Sequence, residues 1–138
     1  MAQAGLDRTK VMVLLQRRYH VIREISKLSR ELSEALSRND EVSTSMILQM
    51  RAEEMAKADE CIHEIWQLAD EDEKAQRELR LLIMSDFGKD AGESPEEKKI
   101  YEIRRKTQEI IDEIRSLDQR LSRKLAGDRS YYGDQKQQ

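Results

Sequence analysis

His20, His63 and Cys61 are the side chains of this 138-residue chain best suited to binding a metal or attacking a substrate. Neither histidine stands four residues from another, the spacing that brings two imidazoles to one helix face around zinc. His63 has Asp59, Glu60 and Glu64 nearby, a proximity that any highly charged helix produces. Cys61 lacks an evident base partner, and its acidic neighbours disfavour a thiolate, so an inert core thiol is expected. As the only cysteine it forms no intrachain disulfide, which fits a reducing compartment. No glycine-rich turn follows a strand to cradle phosphates, and no pocket separates the pKa values of two carboxylates. The expectation is a non-enzymatic protein with no catalytic residues, no metal and no cofactor.

The elements that must carry these residues are helices. Charged residues make up 38% of the chain and aromatic residues 4%, with five glycines and one proline. That balance suits long amphipathic helices better than a thick core, and the length fits one domain. The net charge of -3 argues against a general polyanion binder. It is unevenly spread: Arg8 to Leu36 is basic, whereas Glu41 to Met84 is acidic, so the two segments can pair through complementary fields. A basic face presented to nucleic acid is the less favoured reading of the first segment. No run approaches the length of a membrane span and no cleavable leader is visible, which leads to the expectation of a soluble, cytoplasmic protein without membrane insertion.

Three helices follow from period and punctuation. The first covers about Asp7 to Leu36. There Val11, Leu14, Arg18, Val21, Ile25, Leu28, Leu32 and Ala35 alternate steps of three and four, the heptad pattern of a seam. Arg18 interrupts it, and its stem is expected to lie along the seam with the guanidinium in solvent. Asn39 and Asp40 can cap a second helix that doubles back after Ser37 to Asp40, the alternative being a kinked rod. The second helix is read as continuous from Glu41 to Met84, about 65 Å at 1.5 Å per residue. Its seam runs through Ala58, Cys61, Ile65, Leu68, Asp72, Ala75, Leu79 and Leu82, with the acids at Asp70 to Glu73 as a place where the bundle splays or ends while the helix continues. A loop spans Asp86 to Ser94. Ser94, Pro95 and Glu97 then form a capping box for a third helix that ends at a Gly127 cap. The fold class is therefore all-α: an elongated antiparallel hairpin with a third long helix, one coiled-coil-like domain over 1–127 and a flexible tail over 128–138.

Binding has more support than catalysis. Met46, Met50 and Met55, with Val42 and Ile47, give the start of the second helix an apolar surface on which Met46 and Met50 lie four apart on one face, and unbranched thioethers adapt to irregular partners; ordinary packing against the first helix is the other reading. Tyr131 and Tyr132 stand out in the polar tail. A partner helix laid in a groove of the bundle is the mode this architecture makes easiest.

The segment YHVIREISKLSRELSEAL, the break SRND, and a helix bearing Met50, Glu53, Glu54, Ile62, Ile65 and Leu68 resemble the bacterial flagellar type III export chaperones of the hook-associated proteins. The stretch IIDEIRSLDQRLSRKL and the tail GDRSYYGD are similar to that family's closing region. The resemblance implies a cytoplasmic chaperone that masks a helical segment of a flagellar hook-associated subunit and delivers it for export without nucleotide chemistry. It implies client contact at Ile110, Ile114, Leu117, Leu121 and Leu125, with Tyr131 and Tyr132 in the tail. The alternative is a structural or adaptor coiled coil, possible as a homo-oligomer, that scaffolds partner helices.

Overall fold

A computed structural model describes the backbone of residues 5–86 and 92–137, and the side chains of 5–86 and 92–123. Four helices form an elongated bundle: α1 (Arg8–Ser37), α2 (Glu41–Gln67), α3 (Glu73–Met84) and α4 (Pro95–Gln137), with no strand among the described residues.

Asp7 opens α1 by accepting the amide of Lys10 at 3.0 Å, satisfying one of the donors a helix start leaves free. The seam is buried at Val11, Leu14, Ile25, Leu28, Leu32 and Ala35, while Val21 is half-buried. At the far end Asn39 adopts φ 56, and the amides of Asn39 and Asp40 return to the carbonyls of Leu36 and Ala35. This is a Schellman closure with asparagine in the left-handed position. Asp40 then caps α2, accepting the Ser43 amide at 3.0 Å and the Ser43 hydroxyl at 2.7 Å. Two capping devices in adjacent residues turn the chain sharply, so α2 packs back along α1 as a hairpin.

The continuous second helix expected from Glu41 to Met84 is instead two helices. Leu68, Ala69 and Asp70 donate to carbonyls only three residues back, and Glu71 takes φ 63. Asp72 next accepts the amides of Lys74 and Ala75 at 3.0 and 3.2 Å and starts α3. Consecutive carboxylates face the negative pole of α2 at its end, and the short side chain of Asp72 competes for the amide protons that would continue the helix. The backbone breaks but the bundle does not end there. Ala69, Ala75, Leu79 and Leu82 are buried in one cluster with Val11, Leu14, Leu15, Ile65, Ile100 and Ile103.

Ser94 accepts the Glu97 amide at 3.1 Å, and Glu97 reaches back to the Glu93 amide at 3.2 Å, so the capping box forms one residue wider than expected. Gly92 makes the tight approach possible at φ +81, where a β-carbon would lie 3.0 Å from the Glu97 β-carbon. The expected helix end at Gly127 is not observed, since α4 continues to Gln137. An interior glycine such as Gly127 weakens a helix by only about 1 kcal/mol, and no proline follows to stop it.

Packing is uneven along the bundle. The principal cluster occupies the end where α1 and α4 begin and α3 lies, and Arg8 links these three helices through Glu78 at 3.7 Å and Glu97 at 3.3 Å. Arg104 closes the C-terminus of α3, donating to the Leu82 carbonyl at 2.9 Å and the Ser85 hydroxyl at 3.0 Å. A smaller cluster of Ile22, Ile25, Ala58 and Ile114 continues the core midway. Beyond it the first half of α2 contributes no buried residue.

Candidate protein-interaction surface

The residues singled out for chemistry sit apart. His20 pairs with Gln16 and His63 with Gln67, each at 3.2 Å along its own exposed helix face. Cys61 is buried beside a groove of about 320 Å³ lined by Arg17, Val21, Lys57, Glu60 and Glu64. Burial, more than any neighbour, pushes its thiol up. Among the described residues no three His, Cys, Asp or Glu side chains converge to hold a metal ion, and no helix is long and apolar enough to cross a membrane.

Arg18 is half-buried at its seam position, with only part of its guanidinium covered. Its Nε is buried with no hydrogen-bond partner, and burial lowers its pKa, opposed by Cys61 and Asp59. The helix turns this position toward α2, which covers Nε, while the rest of the side chain runs outward along the seam. Among the described residues the pairing of the basic first segment with the acidic second is realised in two ion pairs, Arg17 with Glu64 and Arg8 with Glu78, both at 3.7 Å.

Met46 and Met50 are exposed, 60% and 45%, and Val42 beside them is 72% exposed. They are outward because α2 turns other positions inward here: Ser43, Thr44, Ile47, Arg51 and Glu54 are the half-buried ones. The candidate positions on α4 divide. Ile114 is 9% exposed and belongs to the core cluster, whereas Ile110 packs against that cluster only in part and Leu117 and Leu121 are half-buried. Leu125, Tyr131 and Tyr132 lie outside the residues whose side chains are described.

Arg51 of α2 forms an ion pair with Asp118 of α4, with 11% and 36% of their side-chain surfaces accessible. The pair sets Met50 and Leu117, each next to one partner in sequence, at the same level of the bundle on separate helices. Arg51 Nε and Asp118 Oδ1 are both buried without a partner, so the contact satisfies only part of what it desolvates.

Sequence reasoning did not single out Leu48, Leu81 and Met84 as surface residues, although they are 49%, 68% and 70% exposed. The signal was present in α2, where Ser45, Leu48, Ala52 and Met55 follow steps of three and four on a side separate from the Met46 and Met50 side.

No protein-family model, curated protein or solved structure matches this chain.

Proposed function

We propose that the chain is a non-enzymatic helical adaptor that holds a helix of a partner protein against the first half of α2. One observation carries the reading: Val42, Met46 and Met50 form an exposed apolar strip on a helix whose second half is packed into the core. Soluble proteins seldom leave such strips uncovered without use, and methionine surfaces adapt to helical partners. Affinity capture with the full chain and with Met46→Glu/Met50→Glu tests it. A stoichiometric partner held by the first and lost by the second, at equal helicity by circular dichroism, is the expected result. Equal capture by both overturns the assignment to this face.

A chaperone for a flagellar hook-associated subunit, working in the cytoplasm before export, is the second reading. It is favoured by the partial accessibility of Ile110, Leu117 and Leu121, the positions where the resemblance implies client contact. Binding of a purified hook-associated subunit to this chain, weakened by Leu117→Asp at unchanged helicity, is its expected signature; a subunit that does not bind rules it out.

A further inference from the structure

A second seam on α2 runs along the side that carries neither Met46 nor Met50. Ser45, Leu48, Ala52, Met55 and Asp59 alternate steps of four and three, and the same alternation continues to Ile62 and Trp66. Ile62 and Trp66 pack against the principal core cluster, whereas Leu48 and Met55 are 49% and 40% exposed. A single packing stripe thus loses its cover halfway along the helix. No lysine or arginine stands on the stripe, and Asp59 makes it acidic.

The outward face of α3 has the opposite character. Lys74, Arg77, Leu81 and Met84 are spaced three, four and three apart, all are exposed, and neither base enters an ion pair among the described residues. Leu81 and Met84 are among the most exposed large apolar side chains of the molecule.

We propose that these two faces are complementary and join copies of the chain head to tail, α3 of one copy lying antiparallel on the first half of α2 of the next. In that register Arg77 meets Asp59, Leu81 meets Met55, and Met84 reaches Leu48 across the small side chain of Ala52. Opposite charges at one end and matched apolar spacing at the other set direction and register. A parallel pairing of α2 with α2 would instead set Asp59 against its own copy, and an antiparallel one would leave the basic and apolar face of α3 uncovered and stop at a dimer. The faces belong to opposite ends of the bundle, α3 beside the start of α1 through Arg8 and Glu78, and the first half of α2 beside its finish. The contact is therefore heterologous, and repetition extends it beyond a dimer. A small area makes it weak and concentration-dependent. The partner strip at Met46 and Met50 stays free, because Met46 and Met55 are nine residues apart, about half a turn around the helix.

Sedimentation velocity over a concentration series tests this. The wild-type chain should sediment faster as concentration rises, passing beyond a dimer, and the shift should shrink at high salt. Arg77→Glu alone and Asp59→Lys alone should each lose the shift. An equimolar mixture of the two should regain it, because every contact between unlike copies then pairs opposite charges; this recovery also shows that both variants are folded. Met46→Glu should leave the shift intact, which separates the test from that of partner binding. A wild-type chain that stays monomeric, a species that stops at a dimer, or a mixture that fails to recover overturns the proposal. Binding of an acidic peptide to α3 by a monomeric chain would assign that face to another protein.

Discussion

Arg18 shows what a seam position does to a charged side chain. The seam spacing puts it between Leu14 and Val21, and it does lie there, half-buried with its Nε covered and unpartnered against α2. A charged group held this way is desolvated without full compensation. Arg18→Met should therefore raise stability, by about 1 kcal/mol, at the low end of what replacing buried charges yields; urea unfolding would reveal it as a higher midpoint at constant slope. Asp40 is the opposite case, since its cap was readable from residue type alone. Its two hydrogen bonds from Ser43, the hydroxyl before the amide, hold its carboxyl below the usual aspartate range. A folded-state pKa below the unfolded one gives stability that is present above the ordinary value and lost as pH falls through the lowered one. Asp40→Asn, which retains the capping oxygen but cannot titrate, should flatten this part of the acid limb of a stability profile while leaving neutral stability near wild type.

At the scale of elements, the break between α2 and α3 separates what periodicity can see from what it cannot. The buried face of α3 was legible, because Ala75, Leu79 and Leu82 continue the phase set by Ala58, Cys61 and Ile65, and all six are buried. The interruption was not. A heptad pattern survives a short turn if the turn returns the chain in phase, so spacing alone cannot distinguish a continuous rod from two helices joined by Leu68–Asp72. What decides it is local: Asp72 as a cap and Glu71 in the left-handed region. A non-glycine residue at φ 63 bears a conformational penalty of about 1 kcal/mol. Glu71→Gly should relieve part of it and raise the melting temperature by a few degrees, about 4–8 °C per kcal/mol being the scale for small domains. A lower melting temperature would mean that Glu71 makes a compensating contact. The start of α4 was legible to the residue from Ser94 and Pro95, because capping is short-range chemistry; its continuation past Gly127 was not, because one glycine only biases a helix.

For the whole molecule, the gradient of burial matters more than any one contact. Val11, Ile65, Leu79 and Ile100 are fully enclosed at one end, whereas the other end relies on α1 side chains covered by half-exposed residues and on the Arg51–Asp118 pair. Sequence alone showed the apolar seams but not this gradient, which depends on which helices share a level. The pair is the test of it. Arg51→Ala leaves the Asp118 carboxylate unpaired and should cost about 1 kcal/mol, the low end of the penalty for an orphaned acceptor because Asp118 retains 36% of its side-chain surface in solvent. Arg51→Met with Asp118→Leu should recover that loss, since the seam then closes with apolar atoms; thermal unfolding of the three proteins decides it. The exposed strips have one more property, which is chemical. Met46, Met50, Met55 and Met84 present 60%, 45%, 40% and 70% of their surface to solvent, while Met12 is packed against the core. Peroxide should convert the four to sulfoxides before it reaches Met12, as intact-mass and peptide mapping would show. Each sulfoxide replaces an apolar contact with a polar one while leaving the core intact, and sulfoxide reductases reverse it. The strip at Met46 and Met50 and the faces bearing Met55 and Met84 are thus surfaces that an oxidant can erase and a reductant can restore.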